Sequence, residues 1–422
     1  MRTLITNVVI ITLLFLSIIY SFKLKFLNLR GFKYVFKDIK QNNTYQTFLV
    51  SLGSHIGTGN IVGVSSCLIL GGSGTVFWMW IFTIFSSVFS YIENVLSLKA
   101  RERINGENRS GASFYIYKYL GNKKLAIIVS VILILTNTIL FQQIQVNTIS
   151  ESLIYSFKIN KSLSLIIILA FTFLFIFRGT KIIVKLEELI VPIMMILYLG
   201  ISLYVIIFNY KQIPNIIKDI FFNALNIKDI GLASIIFCAT LGMKRSFFSN
   251  EAGLGTIPSI SGMSEVASPE AQARIQVFGV FIDTFFCTLT ALMILIYHVD
   301  LNNLNGCEVI IKLFEAMFDK IGMVFGIFFL ITFALATLIS QYYLGETNMF
   351  FITKKLKIGN EKKFKLIFKL LFIIGIVFGV YLNLNQIFEI IDYTLVVLGI
   401  INIYAIVKIM KKDKKIVSSK WK

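Results

Sequence analysis

Long apolar stretches separated by short polar connectors dominate the hydropathy pattern of this chain. Windows of about 20 apolar residues, the length of a bilayer-spanning helix, predict eleven spans, at 4–22, 47–70, 74–98, 126–150, 163–178, 187–209, 230–256, 273–297, 321–345, 366–383 and 387–409. The sequence lacks the ten-residue alternating segments of a membrane β-barrel. The pattern therefore predicts an all-α polytopic membrane protein with eleven transmembrane helices.

Basic residues concentrate in every second connector. The connectors 23–46 and 99–124 and the tail 410–422 are rich in Lys and Arg, whereas 298–320 is mixed in charge. Cytoplasmic loops of membrane proteins carry this excess of basic residues. We therefore expect a multi-pass protein of the cell membrane, with its N-terminus outside and its C-terminus in the cytoplasm. Since no small-residue cleavage site follows the first apolar run, we expect an uncleaved first helix.

Composition narrows the class of protein further. Charged residues make up 15% of the chain and apolar residues 56%, against about 25% charged residues in soluble proteins. The net charge of +19 lies in the connectors, so we interpret it as a topology signal and expect no nucleic-acid partner. The four cysteines lack metal-ligand spacing, and the sequence has no HExxH or paired acidic motif at membrane depth. We expect no cofactor and no enzymatic activity.

A polar cluster interrupts the second predicted span. The residues Gly57-Thr58-Gly59-Asn60 divide 47–70 into two pieces of about ten residues, each too short to cross a bilayer alone. A broken helix leaves free C=O groups on its first half and free N–H groups on its second, and such ends bind cations and anions. The alternative is that these small residues only let a neighbouring helix pack closely.

A second interruption lies in the sequence GMKRSFFSNEAGLGTIP at 242–258, which includes Asn250 and Glu251. Counted from the second span, the two interruptions fall in the first and sixth helices of a ten-helix set. Breaks at corresponding positions of two halves are typical of a transporter whose substrate site lies between inverted repeats. The alternative is that 244–258 is an ordinary charged loop.

Other polar residues lie at membrane depth, where each needs a partner or a cavity. On the fourth span, Gln143 and Asn147 share one helical stripe, while Gln145 lies on another; they line a cavity or join helices by hydrogen bonds. Asp283 is a candidate cation ligand, proton relay or buried partner of a base such as Lys244 or Arg245. Glu93, nearer the cytoplasmic side, is interpreted as a structural partner of the basic connector.

Taken together, these segments resemble the alanine/glycine:cation symporters, which are sodium-coupled amino-acid transporters. The resemblance rests on several motifs that occur in family order over nearly the whole chain. They are GTGNIVGV (57–64), GGSGTVFWMW (71–80), QVNT (145–148), LEELIVPIM (186–194), RSFFSNEAGLGTIP (245–258), GVFIDT (279–284) and YLGE (343–346).

The resemblance implies a fold of the leucine-transporter type, with an inverted repeat of five helices at 47–209 and 230–409. An extra helix and a basic connector at 1–46 precede the repeat, and a basic tail at 410–422 follows it. The resemblance also implies site residues. Substrate contacts are expected at Thr58, Gly59, Asn60, Gln143, Gln145, Asn147, Gly242, Phe247 and Gln341, and a sodium ion is expected near Gly57 and Thr337.

Three positions depart from the family pattern. The eighth helix of the set reads Leu335-Ala336-Thr337 where the family typically has F-S-T, so one hydroxyl of the expected sodium site is missing. Gln341 replaces a frequent tryptophan, and Ser246 replaces a frequent glycine. Fewer oxygen ligands weaken the binding of a hard cation, while Gln341 and Ser246 are expected to enlarge or polarise the pocket.

The sequence thus predicts a secondary transporter in the lipid bilayer, importing a small neutral amino acid such as alanine or glycine by alternating access, with sodium as the coupling ion. One alternative is a porter on the same scaffold that uses protons or another amino acid. A second alternative is an amino-acid sensor that binds without transporting.

Overall fold

We describe the fold from a computed structural model, which covers residues 2–41, 45–176, 180–225, 231–264, 268–301, 304–413 and 416–417. The chain is mainly helical. In its first part the helices are α1 (Arg2–Lys23), α2 (Leu27–Arg30), α3 (Phe32–Gln41), α4 (Tyr45–His55), α5 (Val64–Gly71), α6 (Gly74–Lys99), α7 (Ala112–Tyr115), α8 (Lys123–Leu135), α9 (Gln142–Phe157), α10 (Lys161–Ile176), α11 (Thr180–Phe208) and α12 (Ile213–Leu225).

The second part continues with six more helices in the described ranges. They are α13 (Leu232–Asn250), α14 (Pro258–Ser261), α15 (Pro269–Ile296), α16 (Gly306–Phe350), α17 (Glu361–Tyr381) and α18 (Leu384–Lys412). Four π-helical segments join or extend them, at Gly59–Gly63, Ile116–Leu120, Thr136–Leu140 and Phe351–Lys355. A short hairpin that the hydropathy pattern does not predict, β1 (Glu102–Ile104) with β2 (Glu107–Arg109), lies in the basic connector 99–124.

Eight helices are long and apolar enough to cross a bilayer among the described residues. They are Leu4–Lys23, Gly74–Lys99, Lys123–Phe157, Lys185–Phe208, Pro269–Ile296, Gly306–Lys355, Glu361–Tyr381 and Leu384–Lys412. The protein is therefore a polytopic helical membrane protein. The other three predicted spans coincide with the interrupted pair α4–α5, the shorter apolar helix Lys161–Phe173 and α13, and the count of eleven stays a prediction.

The predicted interruption of the span 47–70 is a true break in the helix. Helix α4 ends at His55, and α5 begins at Val64 after a π-helical turn over Gly59–Gly63. The N–H group of Gly57 donates to the side-chain oxygen of Asn60 at 2.8 Å, so an amide side chain replaces a helical carbonyl there. We call residues 56–60 the first break.

The second interruption follows α13 and runs to the start of α14, and we call residues 251–257 the second break. Its backbone leaves the helical region because Glu251, Gly253 and Gly255 have φ values of 50°, 93° and 79°. Glycine adopts such positive values without the steric penalty that a Cβ imposes. Helix α13 therefore stops at Asn250, where the left-handed Glu251 caps it, and the two glycines keep the backbone that follows out of the helical region.

The packing of the long helices encloses both breaks. Helix α6 packs against α13 and α15, while α16 packs against α4, α9 and α11. Helix α16 carries non-helical backbone dihedrals at Phe318 and Asp319. They separate a short first piece (306–317), which Asn305 caps, from a long second piece (320–350) that passes the first break. Nearly every residue of α9 from Gln142 to Ser152 is buried, so its amide side chains face protein and not lipid.

Candidate functional site

A small buried cavity lies between the two breaks. The first break and α4 contribute Ser54, His55, Gly57 and Gly59, and the remaining lining residues are Gln145, Phe248, Ser249, Glu251, Thr337 and Gln341. Its free space is enough for about one water molecule. The structure thus brings predicted site residues from the two breaks, α9 and α16 to one place, namely Gly57, Gly59, Gln145, Glu251, Thr337 and Gln341.

A hydrogen-bonded junction fixes the far side of the first break. The Asn60 amide donates to the Asp283 carboxylate at 2.6 Å and to the main-chain oxygen of Asp283 at 2.9 Å. The Ser249 hydroxyl donates to the same carboxylate oxygen at 2.7 Å. The second oxygen, Oδ2, has no hydrogen-bond partner among the described residues. Asp283 therefore links the first break to α13 and α15 while keeping one acceptor unused.

Among the amides predicted on the fourth span, only Gln145 lines the cavity. Its Oε1 accepts a hydrogen bond of 2.8 Å from the Thr58 hydroxyl in the first break. The Asn147 amide instead donates to the main-chain oxygens of Gly379 and Leu382, at 3.2 and 3.0 Å, and so joins α9 to the end of α17. Gln143 is buried, with its Oε1 unpaired.

The predicted sodium residues Gly57 and Thr337 lie in direct contact. A Cβ added to Gly57 would lie 2.0 Å from Thr337 Oγ1, so no side chain fits there. The Thr337 hydroxyl donates to the main-chain oxygen of Gly53 at 3.0 Å. Carbonyl groups at the C-terminal end of a helix have no helical donor and carry partial negative charge. The end of α4 therefore presents oxygen atoms to α16.

The residues that follow α13 divide between the cavity and the surrounding structure. Glu251 accepts a 3.4 Å hydrogen bond from the Gln341 amide, and one oxygen of each side chain, Glu251 Oε2 and Gln341 Oε1, is buried without a partner. Asn250 donates to Thr83 and Ser246 at 3.2 and 3.1 Å and holds α13 against α6. Glu251 and Gln341 thus give the cavity a polar wall.

Glu93 holds the second break. Its two carboxylate oxygens accept hydrogen bonds of 3.0 Å each from the N–H groups of Gly253 and Gly255. The Asn402 amide of α18 donates to the same carboxylate at 2.8 Å, and Tyr115 donates in turn to Asn402. Glu93 was interpreted as a partner of the basic connector, but these contacts are with backbone amides and an asparagine.

Two predicted contacts on α13 pack against helices and lie outside the cavity lining. A Cβ on Gly242 would lie 2.4 Å from the main-chain oxygen of Thr75, so this glycine allows α13 to approach α6. The ring of Phe247 packs on Phe82 with centroids 5.3 Å apart, whereas the next residue, Phe248, lines the cavity. Their assignment as substrate contacts stays a prediction.

The basic residues of α13 pair with Asp392 of α18 and not with Asp283. The Arg245 guanidinium lies 3.0 Å and the Lys244 ammonium 3.6 Å from the Asp392 carboxylate. Arg245 also lies over the ring of Phe388, 3.8 Å from its centroid. Of the three roles considered for Asp283, the ion pair with these two bases is therefore not formed.

Sequence reasoning missed three residues of this region. His55 lines the cavity, and both of its ring nitrogens are buried without partners among the described residues. Ser249 is visible in the sequence only as one of the residues that interrupt the span 230–256, and Glu187 only as part of the motif at 186–194. A hydroxyl one residue before Asn250 and a carboxylate inside an apolar run are the signals that pointed to them.

Comparisons with known proteins identify the family of this chain. The model of the sodium:alanine symporter family matches residues 1–420. The chain is 31% identical to the amino-acid carrier protein AlsT of Bacillus subtilis, over 93% of this chain and 84% of the relative. It is also 31% identical to the probable sodium/glutamine symporter GlnT of the same organism, over 96% and 86% of the two chains.

A third relative is the sodium/alanine symporter AgcS of Methanococcus maripaludis, 31% identical over 72% of this chain and 69% of the relative. Among solved structures, MhsT in complex with L-phenylalanine matches with a TM-score of 0.59 at 18% identity, covering 84% of this chain and 87% of MhsT. A manganese transporter of Eremococcus coleocola matches with a TM-score of 0.57 at 14% identity, covering 86% and 77%. Both show a shared transporter fold. The chain belongs to the sodium:alanine symporter family.

Proposed function

We propose that this protein is a symporter that imports a small neutral amino acid, such as alanine or glycine, together with sodium by alternating access. The observation that carries the proposal is the cavity at the first break. The cavity adjoins the end of α4, the contact of Gly57 with Thr337 and the Glu251 side chain with its unpaired oxygen, and Ser249 on its wall links it to Asp283. A zwitterion and a cation need such groups of both polarities.

The broken helix offers a separate place to each charged group of an amino acid. The π-helical segment begins at Gly59, within the first break, and its N–H groups suit the substrate carboxylate. The carbonyl end of α4 and the acidic side chain of Glu251 suit the ammonium group. Gln145, held to Thr58, would fix the position of the first break while the substrate is bound.

The proposed sodium ion lies between the end of α4 and α16, next to Gly57 and Thr337. Sodium is a hard cation and prefers oxygen ligands, which the Gly53 carbonyl and the Thr337 hydroxyl supply. Ala336 offers no hydroxyl to this site. Cation and substrate would share the first break, which gives a physical route for coupling their binding.

The proposal includes the wider architecture. It has eleven spans, the inverted repeats 47–209 and 230–409 after one extra helix, an outer N-terminus and a cytoplasmic C-terminus. Transport would follow from rocking of one group of helices against the other around a fixed site. The basic connectors and the alternation of charge support this orientation.

The experiment is uptake by purified protein in liposomes, with sodium and proton gradients imposed separately. We expect alanine or glycine to accumulate above its external concentration under an inward sodium gradient at equal pH. Uptake driven only by a proton gradient would replace sodium with protons as the coupling ion. Binding without flux under any gradient would instead support the amino-acid sensor.

A second candidate substrate is an amino acid with a carboxamide side chain. It is favoured by Gln341 and Glu251, since each keeps a buried oxygen without a partner at the cavity wall. Such acceptors suit an NH₂ group and gain little from a methyl side chain. Including glutamine in the uptake assay decides between the candidates. Uptake of glutamine, together with inhibition of alanine uptake by glutamine, would support the carboxamide substrate.

A further inference from the structure

Glu187 of α11 is a buried carboxylate to which neither the family resemblance nor the proposed site assigns a role. Its side chain is fully buried, with 0% of its surface exposed. One oxygen, Oε1, accepts a hydrogen bond of 3.0 Å from the Ser340 hydroxyl on α16. The other oxygen, Oε2, has no hydrogen-bond partner among the described residues.

The unpaired oxygen points at the last turn of α4. A Cβ added to Gly53 would lie 2.1 Å from Glu187 Oε2, so only glycine allows this approach. On the facing helix, Ser340 also lies 3.2 Å from the Val50 carbonyl, and Thr337 lies 3.0 Å from the Gly53 carbonyl. Three helices thus direct a carboxylate, two hydroxyls and main-chain carbonyls into one small region.

A buried carboxylate stays ionised only when a positive charge lies close to it, and otherwise it takes up a proton. Burying an unpaired charge in a low-dielectric interior is strongly unfavourable. None of the ion pairs among the described residues includes Glu187. The surrounding atoms are oxygens, which are the ligands of a hard cation.

We propose that Glu187 is the anionic ligand of a sodium ion held between α4, α11 and α16, with Gly53, Thr337 and Ser340 as neutral ligands. This inference rests on the proposed sodium coupling and adds a residue to it. The carboxylate would compensate for the hydroxyl that Ala336 lacks, since one full negative charge binds a cation more strongly than a neutral oxygen does. It would also leave the bound site without net charge.

The test is sodium binding to purified wild-type and Glu187→Gln protein, without amino acid and with choline replacing sodium. Binding of radioactive sodium gives the half-saturating concentration directly. We expect Glu187→Gln to raise it by at least ~10-fold, which corresponds to about 1.4 kcal/mol. Glu188→Gln is the matched control, because it removes the adjacent and partly exposed acid of the same helix, and its sodium affinity should stay at the wild-type value.

Further variants keep the inference testable if Glu187→Gln does not fold. Ser340→Ala removes only a hydroxyl and should weaken sodium binding ~3- to 10-fold. Glu187→Asp keeps the charge but withdraws it, so its sodium affinity should lie between those of the wild type and Glu187→Gln. Wild-type sodium affinity in Glu187→Gln or in Ser340→Ala would overturn the inference.

Failure of this inference is distinguishable from failure of the proposed function. If wild-type liposomes take up alanine with sodium and Glu187→Gln binds sodium normally, only the role of Glu187 is wrong. If wild-type protein binds no sodium and takes up amino acid only with protons, the sodium assignment fails and the inference fails with it.

Discussion

The two breaks differ in what satisfies their backbones. At the first break, Gly57 is capped locally by Asn60, three residues further along the chain. At the second break, Gly253 and Gly255 are capped by Glu93, which lies about 160 residues away on α6 and is itself bonded to α18. The N–H group of Gly57 is thus capped from within the first break, whereas the N–H groups of the second break are capped by a side chain from a distant helix.

This difference indicates that the two breaks have different functions. The first break can exchange side-chain contacts with a ligand while keeping its own cap, since Asp283 and Glu251, the first residue of the second break, each hold an unpaired oxygen. The rest of the second break uses both oxygens of Glu93, so its backbone is fixed before any ligand arrives. We therefore expect the ligand to bind at the first break and Glu251, and the glycines of the second break to hold the geometry.

The largest effect is expected from removing the anchor of the second break. Glu93→Ala deprives two buried N–H groups and the Asn402 amide of a charged acceptor, which should lower the free energy of unfolding by about 4 kcal/mol. The measurement is thermal unfolding in detergent, with Glu188→Ala as the control. An unchanged melting temperature would show that the second break does not depend on Glu93.

Next comes the junction at the first break. Asp283→Ala leaves the Asn60 amide and the Ser249 hydroxyl without their shared acceptor, and we expect amino-acid uptake to fall ~100-fold, from about 1–3 kcal/mol for each unsatisfied group. Uptake assays in liposomes check this, with Asp300→Asn as an exposed control. If the Asp283→Ala variant takes up amino acid at the wild-type rate, the Asp283 carboxylate is not needed for transport.

A smaller effect is expected from Gly57 in the first break, for which the later glycine Gly63 is the control. Gly57→Ala places a methyl group 2.0 Å from Thr337 Oγ1, whereas the nearest atom to a Cβ on Gly63 is 3.9 Å away. Gly57→Ala should weaken alanine binding ~10-fold or more, and Gly63→Ala should not. Calorimetric titration of both variants compares them. Equal affinities would mean that the contact with α16 is unimportant.

The smallest effect concerns the hydroxyl that Ala336 lacks. Ala336→Ser restores one oxygen next to Thr337, so the half-saturating sodium concentration should fall ~3-fold, because one additional neutral ligand contributes about 0.6 kcal/mol. The measurement is sodium activation of alanine uptake. A rise in the sodium requirement would place the cation elsewhere.

The sequence alone predicted both breaks, because polar and glycine residues in an apolar run are visible without a structure. It also selected Asp283, since a carboxylate at membrane depth stands out against its neighbours. It was harder to predict which polar side chains face the cavity. Gln143 and Asn147 share one stripe of α9 and Gln145 lies on another, but the stripes alone do not show which of the two faces the cavity.

Contacts between distant segments were also beyond the sequence. Glu93 and the glycines of the second break are about 160 positions apart, and only the packing of α6 against α13 brings them together. The same holds for Glu187, whose role depends on its distance from Gly53 and Ser340. Long-range pairing of this kind follows from the fold and leaves no local pattern.

In the proposed mechanism, the first break binds the amino acid and the cation together. The most direct measurement is the dissociation constant of alanine for purified protein at increasing sodium concentration, paired with that of sodium at increasing alanine concentration. Because coupling between two ligands is reciprocal, we predict that each tightens the binding of the other by the same factor, and that Gly57→Ala reduces that factor. An alanine affinity that does not change with sodium would contradict the account.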